Sequence, residues 1–461
     1  MDNNIVSIEI IGLYGVRDFL VRFSDNKLII VGENGSGKTT ISRIIYATLS
    51  CNWDLLRTYP FDTIVLNFRD ESIEIKSSVI NGIFGAPDIE RFEYFLDRRT
   101  YKRNFDGFIS SVLETKRQFE QENFSEDQIL DKRYKFHVPY EYIADVVKDS
   151  NITALYEITN KIQQKFKSKI LYLPTYRRIE EQLKTIFPDV DKDVWEKARK
   201  RINSEKVVEL VEFGMDDVVR LVRKEQDSLK SFSQTQQKKL TLGYLSEIVS
   251  KNYDRTSSYT KIRGLSEDEI QEVLRRIDSS ILSDTTKAQV LSTLNSVRTE
   301  KKRSYSAQVK IICHYFMQLM AFNQDITSAE QQIRNFQEKC NKYLISNQIE
   351  YNSQDFTCQL INRVNDQFDS NNKIDFQNLS SGEKQIVSLF SHLYLDKDLS
   401  LFVFIDEPEL SLSVDWQRTF LPDIVNSPNC VGLVATTHSP FIFDNELEDV
   451  VHGINEFCTR G

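Results

Sequence analysis

Gly32-Glu33-Asn34-Gly35-Ser36-Gly37-Lys38-Thr39 is the stretch on which the fold turns. It fits the pattern G-x-x-x-x-G-K-[ST], and it joins an apolar β-branched run, Leu28–Val31, to a helical pattern, ISRIIYATL. Glycines there let the backbone turn its N–H groups inward around phosphate oxygens. Lys38 reaches the β- and γ-phosphates, Thr39 offers a hydroxyl to Mg²⁺, and the helix N-terminus adds positive potential. Glycine is scarce in the chain, 15 of 461 residues, which makes the local cluster conspicuous. The candidate nucleotide-binding residues are Gly32, Asn34, Gly35, Ser36, Gly37, Lys38, Thr39 and Thr40, with Thr39 also a candidate metal ligand.

Working outward, Ile5–Ile11 and Phe19–Phe23 alternate as strands, and Ser24-Asp25-Asn26 turns the chain into Leu28–Val31. Thr63–Phe68 and Ser72–Lys76 read as a hairpin turned at Arg69-Asp70-Glu71. Far downstream, LFVFI (Leu401–Ile405) and CVGLVA (Cys430–Ala435) are wholly apolar, as suits parallel strands buried on both faces. The two α/β stretches are expected to share one sheet, with a helical, highly charged middle inserted into it. The expected division is 1–185, 186–345 and 346–461. In the middle, Ser266-x-x-Glu269 is a capping box, followed by Ile270, Val273, Leu274 and Ile277 on one face. Val309, Ile312, Cys313, Phe316 and Met320 make a second stripe. Neither stripe is sustained as heptads, so packed helices are expected rather than a long coiled coil.

Three further segments carry chemistry. The strand LFVFI delivers Asp406 and Glu407 at its C-terminal end, where α/β sheets bind ligands. Asp406 suits a Mg²⁺ shell, and Glu407 suits a base that orients an attacking water. Upstream, Leu379-Ser380-Ser381-Gly382-Glu383 precedes a helix and exposes backbone N–H groups at its positive end. Thr436-Thr437-His438-Ser439-Pro440 follows the strand CVGLVA.

In combination these elements resemble the ABC-type ATPases of the Rad50, RecF and OLD-like group, over roughly residues 1–60 and 370–445. GENGSGKTT is similar to the RecF and Rad50 heads. DEPELSLSVDWQ and ATTHSPFIF are most similar to OLD-like ATPases of bacterial anti-phage systems. The resemblance implies an α/β fold, an ABC-type ATPase head with mixed β-sheet, flanking helices and a helical insertion between P-loop and signature. It implies ATP and Mg²⁺ as cofactors and a head-to-head homodimer that assembles further. Ser380, Ser381 and Gly382 would be the signature contacting the other subunit's nucleotide, and His438 the switch histidine that senses the γ-phosphate. Arg17, just before the second strand, would lie near the nucleotide. Leu412-Ser413 departs from the Leu-Asp of many D-loops, and the best Q-loop candidate is Ile170–Arg178.

OLD-type proteins continue into a Toprim nuclease, whereas this chain ends 23 residues after His438, so an ATPase without its own nuclease is expected. Stand-alone ATPases of this kind occur in the PARIS and Septu defence systems beside a separate nuclease, Toprim-type and HNH-type respectively. Length, the modest insertion and YLPTYRRIE are most similar to the PARIS ATPases of AriA type, with the Septu ATPases of PtuA type next. The resemblance implies a nuclease effector and a phage-encoded trigger, often an acidic DNA mimic. The alternative is a RecF/Rad50-like DNA repair ATPase; a nucleotide-switched scaffold with negligible turnover is a third class. Basic clusters at Arg98–Arg103, Lys197–Arg201 and Lys301–Arg303 are candidate contacts for phosphates or an acidic protein.

Net charge of −9 excludes a wholly basic nucleic-acid coat. With 29 Phe and 19 Tyr the chain has ample material for a core. Six cysteines without a CxxC pair, and no leader-like N-terminus, point to a reducing, cytoplasmic compartment. No apolar run approaches the ~18 residues of a membrane span.

Overall fold

The computed structural model describes residues 5–84, 150–173, 207–209, 215–255, 258–277, 282–300, 302, 305–364, 367–397 and 399–460. The basic clusters Arg98–Arg103 and Lys197–Arg201, Lys301 and Arg303, and Pro174–Arg178 of the Q-loop candidate lie outside them. Two compact units emerge, residues 1–213 with 398–461, and residues 214–397. The segment 346–397, expected to belong with the C-terminal part, is thus grouped with the helices.

The strands, in chain order, are β1 (Ile5–Leu13), β2 (Arg17–Arg22), β3 (Lys27–Val31), β4 (Thr63–Phe68), β5 (Ser72–Lys76), β6 (Lys169–Leu173), β7 (Val207–Glu209), β8 (Asn347–Asn352), β9 (Thr357–Val364), β10 (Gln367–Ile374), β11 (Leu401–Asp406), β12 (Cys430–Thr437), β13 (Val451–Gly453) and β14 (Cys458–Arg460). In the first unit an antiparallel sheet runs β14-β2-β1-β4-β5, and the expected hairpin pairs Val65 with Glu74. A second, parallel sheet runs β13-β3-β12-β11-β6-β7. N-terminal and C-terminal stretches therefore do share one sheet.

Register explains where a site can form. Val31 pairs with Thr437 and Thr436 pairs with Asp406, so β3, β12 and β11 end level. The loops that follow all leave from the same edge, the C-terminal edge of a parallel sheet. Every residue of β11 is buried. Phe402 packs edge-on against Phe166 at 5.4 Å, and Phe404 against Tyr46 at 5.7 Å. Phe402 also lies beside its register partner Gly432, where an added Cβ would come within 2.3 Å of the ring, so only glycine fits there. Against this layer packs the helix Lys38–Ser50, which buries Ile41, Ile44, Ile45 and Leu49.

The second unit holds two long helices, Met215–Val249 and Ala307–Tyr343, of 35 and 37 residues, about 50 Å each at 1.5 Å per residue. They meet near one end, where the Tyr244 hydroxyl donates to Ile311 O at 3.3 Å and Glu247 bonds the His314 ring. Both expected apolar stripes join one cluster that includes Ile262, Leu294 and Val297. The Ser266–Glu269 capping box is present, with Ser266 N–H donating to Glu269 at 2.7 Å. An antiparallel sheet, β10-β9-β8, was not anticipated. Among the described residues no helix is long and apolar enough to cross a membrane. Among the described residues no disulfide joins any of the six cysteines.

Candidate active site

The loop after β3 reaches the helix Lys38–Ser50 through Gly35 and Gly37, at φ 76° and 102°, backbone that side chains with a Cβ rarely adopt. That path wraps the loop around the Lys38 ammonium, which donates to Gly32 O and Glu33 O, each at 3.0 Å. Lys38 is 5% exposed. Burial lowers its pKa below the ordinary lysine value, and the carboxylates of Glu407, Asp406 and Glu409 oppose the shift. The Ser36 hydroxyl is buried without a hydrogen-bond partner among the described residues. An unsatisfied buried hydroxyl is unfavourable by about 1–3 kcal/mol, and a ligand oxygen would satisfy it.

Across from the loop, Thr39 Oγ1 donates to Asp406 Oδ1 at 3.3 Å. The Thr436 hydroxyl, on the neighbouring strand, donates to the same oxygen. Thr436 lies within a segment singled out from the sequence, but its hold on Asp406 became visible only through the β11–β12 register. A hydroxyl beside a buried carboxylate fits the protein share of a Mg²⁺ site, in which phosphates and waters complete the shell. Among the described residues no group of three His, Cys, Asp or Glu side chains could hold a metal by itself.

Glu407 follows at φ 52°, left-handed for a residue with a Cβ, with its N–H donating to Thr436 O at 2.9 Å. His438 leaves β12 and brings its Nε2 to 2.8 Å from Lys38 Nζ and 3.8 Å from Glu407 Oε1. Lysine only donates, so Nε2 accepts in this geometry. A carboxylate, a cation and an imidazole thus face one small volume. The structure brings together Lys38, Thr39, Asp406, Glu407 and His438, with Thr40 in the first helical turn and Asn34 and Gly35 exposed on the loop.

Two further predicted elements are Arg17 and the segment Ser380–Gly382. Arg17 is exposed at the start of β2. Ser380, Ser381 and Gly382 belong to the other compact unit. There Ser380 caps the helix Ser381–Leu395 in a capping box, its N–H donating to Glu383 at 3.0 Å and Glu383 N–H donating back to Ser380 Oγ at 3.4 Å. Around Gly382 an added Cβ would meet open space. Glu383 thus takes the capping role, and Ser380-x-x-Glu383 has the same spacing as the box at 266–269.

Residues 28–444 match the family described as "AAA domain, putative AbiEii toxin, Type IV TA system". A stretch of 84 residues is 34% identical to a "Putative ABC transporter ATP-binding protein" of Pyrococcus abyssi, covering 18% of this chain and 30% of that relative. The match thus spans under a third of that relative's length. Among solved structures, the Smc head domain with an extended coiled coil from Pyrococcus furiosus, bound to the C-terminal domain of ScpA, aligns over 95% of this chain and 90% of its own, at 12% identity and TM-score 0.31. The Smc head domain with a coiled coil and joint from Pyrococcus yayanosii aligns over 95% and 93%, at 15% identity and TM-score 0.27. Scores this low carry no weight for the fold, which rests on the sheet order and on the family match. With three level strand ends closing on a glycine-rich loop, and the match running from β3 past His438, the chain belongs to the family described as "AAA domain, putative AbiEii toxin, Type IV TA system".

Proposed function

We propose that this chain is the ATP-binding and ATP-hydrolysing sensor and scaffold of an anti-phage defence complex, one that holds a separate nuclease inactive and releases it on meeting a phage protein. The observation that carries the reading is the convergence of Lys38, Thr39, Asp406, Glu407 and His438 at one sheet edge. The defence role draws its support from the segments DEPELSLSVDWQ and ATTHSPFIF, and from a matched family whose description names a toxin of a toxin–antitoxin system, a class built from paired components.

In this reading Lys38 neutralises phosphate charge from inside the loop. Thr39 and Asp406 hold Mg²⁺. Glu407 orients the attacking water and draws off its proton, while His438 senses the γ-phosphate beside Lys38. Bound Mg²⁺-ATP would supply the electrophilic γ-phosphorus and ADP as the leaving group. Two copies meet head-to-head in the cytoplasm, and Ser380, Ser381 and Gly382 of one copy contact the nucleotide of the other, with Arg17 flanking the chain's own nucleotide. A Toprim-type nuclease is the favoured effector, with an HNH-type as the second candidate.

The test is ATP turnover of the purified chain with and without Mg²⁺, DNA, the product of the neighbouring gene, and phage proteins. Mg²⁺-dependent turnover indifferent to DNA, with nuclease activity appearing only when effector and phage protein are both present, is the expected result. Turnover strongly stimulated by DNA ends would replace this reading with a repair ATPase. Toxicity of the chain expressed by itself would overturn the separate-effector reading.

A further inference from the structure

We propose that Glu409 is a positioning residue that fixes His438 relative to Lys38 and Glu407 and ties the switch segment to the loop after Glu407; this rests on the ATPase reading above. β12 has register partners in β3 and β11 only as far as Thr437 and Thr436. The backbone at His438 is therefore past the sheet and must be held by something else. What holds it is the Glu409 carboxylate. Its Oε1 accepts the His438 N–H at 2.7 Å and its Oε2 accepts the Thr437 hydroxyl at 2.8 Å. A planar carboxylate gripping two adjacent residues with different oxygens restrains rotation as well as translation, and charge assistance shortens such bonds.

Glu409 sits on the turn Pro408–Ser411, directly after the base Glu407. A second tie runs parallel to the first. Gln417 accepts the Ser439 hydroxyl at 2.6 Å and donates to Leu412 O at 3.1 Å. Residues 437–439 are thus bound by side chains to the loop 408–413, and a shift of that loop carries the imidazole with it. The Ser413 side chain makes no cap bond to the helix that it starts.

The experiment compares wild type, Glu409→Ala, Glu409→Gln, Thr437→Val, His438→Ala and the double variant Glu409→Ala/His438→Ala. Hydrogen exchange is followed in nucleotide-free protein, and kcat and KM for ATP in turnover. In Glu409→Ala the His438 amide should exchange about tenfold faster or more, while β11 amides stay unchanged. Its kcat should fall roughly 10–100-fold with KM within about threefold, the loss expected from a misplaced group. Because Glu409 acts through His438, the double variant should be no slower than His438→Ala alone. Thr437→Val, which keeps only the His438 bond, and Glu409→Gln, which can keep both contacts but without the charge, should fall between, and they decide the question if Glu409→Ala folds poorly. Unchanged exchange at His438, or losses that multiply in the double variant, overturn the proposal. A wild type without turnover would instead remove the ATPase reading, and the exchange measurement would still decide what Glu409 holds.

Discussion

All six residues of β11 are buried, and its single carboxylate, Asp406, comes last, at the sheet edge. The helix Ala307–Tyr343 does the reverse. It buries Glu330 completely near its middle, where Arg334 donates at 2.8 Å, the Tyr351 hydroxyl donates at 3.1 Å, and Arg276 lies 3.6 Å away. Burial, with the nearby Glu330 charge, pushes the Tyr351 phenol well above its ordinary range. Likewise Glu225 is buried in the helix Met215–Val249 and meets Lys397 at 2.8 Å. The parallel sheet keeps charge at the mouth, where it is available for chemistry. The helical unit locks charge into its interior, where it serves packing. A substitution of a charged residue should therefore act on turnover in one region and on stability in the other.

The largest expected effect tests the helical side of that contrast. Glu330→Ala leaves the buried Tyr351 hydroxyl and two partly exposed arginines without their shared acceptor and opens a cavity, and loss of such a network lowers stability by about 2–5 kcal/mol. Chemical denaturation should report that loss, with turnover per folded molecule nearly unchanged; a variant as stable as wild type would break the contrast. On the sheet side, Lys38→Ala should lower turnover roughly 10²–10³-fold and remove tight ATP binding while the fold persists. Calorimetric titration with equal ATP affinity in mutant and wild type would contradict the site. Glu407→Gln should slow turnover by ~10²-fold and leave binding intact, since the amide keeps the shape but not the basicity. Turnover within twofold of wild type would show that another group is the base. The smallest effect sharpens the comparison within the helical unit itself. Ser380→Ala loses a cap worth ~1 kcal/mol, a melting shift of roughly 2–4 °C. A much larger loss of turnover than of stability would mean that Ser380 acts on nucleotide as well as on its helix.

The same contrast governs what could be read from the sequence. β3, β11 and β12 were legible because an apolar run and the motif after it are local signals. The length of the helices was not. Met215, Val218, Val222, Glu225 and Leu229 step by 3 and 4, as do Ile326, Glu330, Ile333, Phe336, Cys340 and Tyr343, but a glutamate interrupts each apolar count. Glu225 is neutralised by Lys397, 172 residues away, and Glu330 by Arg276 and the Tyr351 hydroxyl as well as by neighbouring Arg334, so no local window identifies them fully as core. β8–β10 escaped for a related reason. Strands such as NQIEYN and QFDSNNKI are rich in Asn and Gln, poor β-formers, although Asn347, Ile349 and Tyr351 alternate inward. Glu409 had no local signal at all, because its partners lie 28 and 29 residues further on.

The strand order carries a consequence for synthesis. β3 is flanked by β12 and β13, strands made about four hundred residues later, and Lys38 and His438 are 400 positions apart. At the ~5–20 residues per second of translation, Leu28, Ile29 and Ile30 wait roughly 20–80 s for the neighbours that bury them. The unit 214–397 is continuous in sequence and can be complete before that wait ends. A ribosome-bound chain therefore holds its phosphate loop unpaired until β12 and β13 have been made. Nascent chains should depend on chaperones to keep that apolar strand from aggregating, and should acquire turnover only after both strands have emerged.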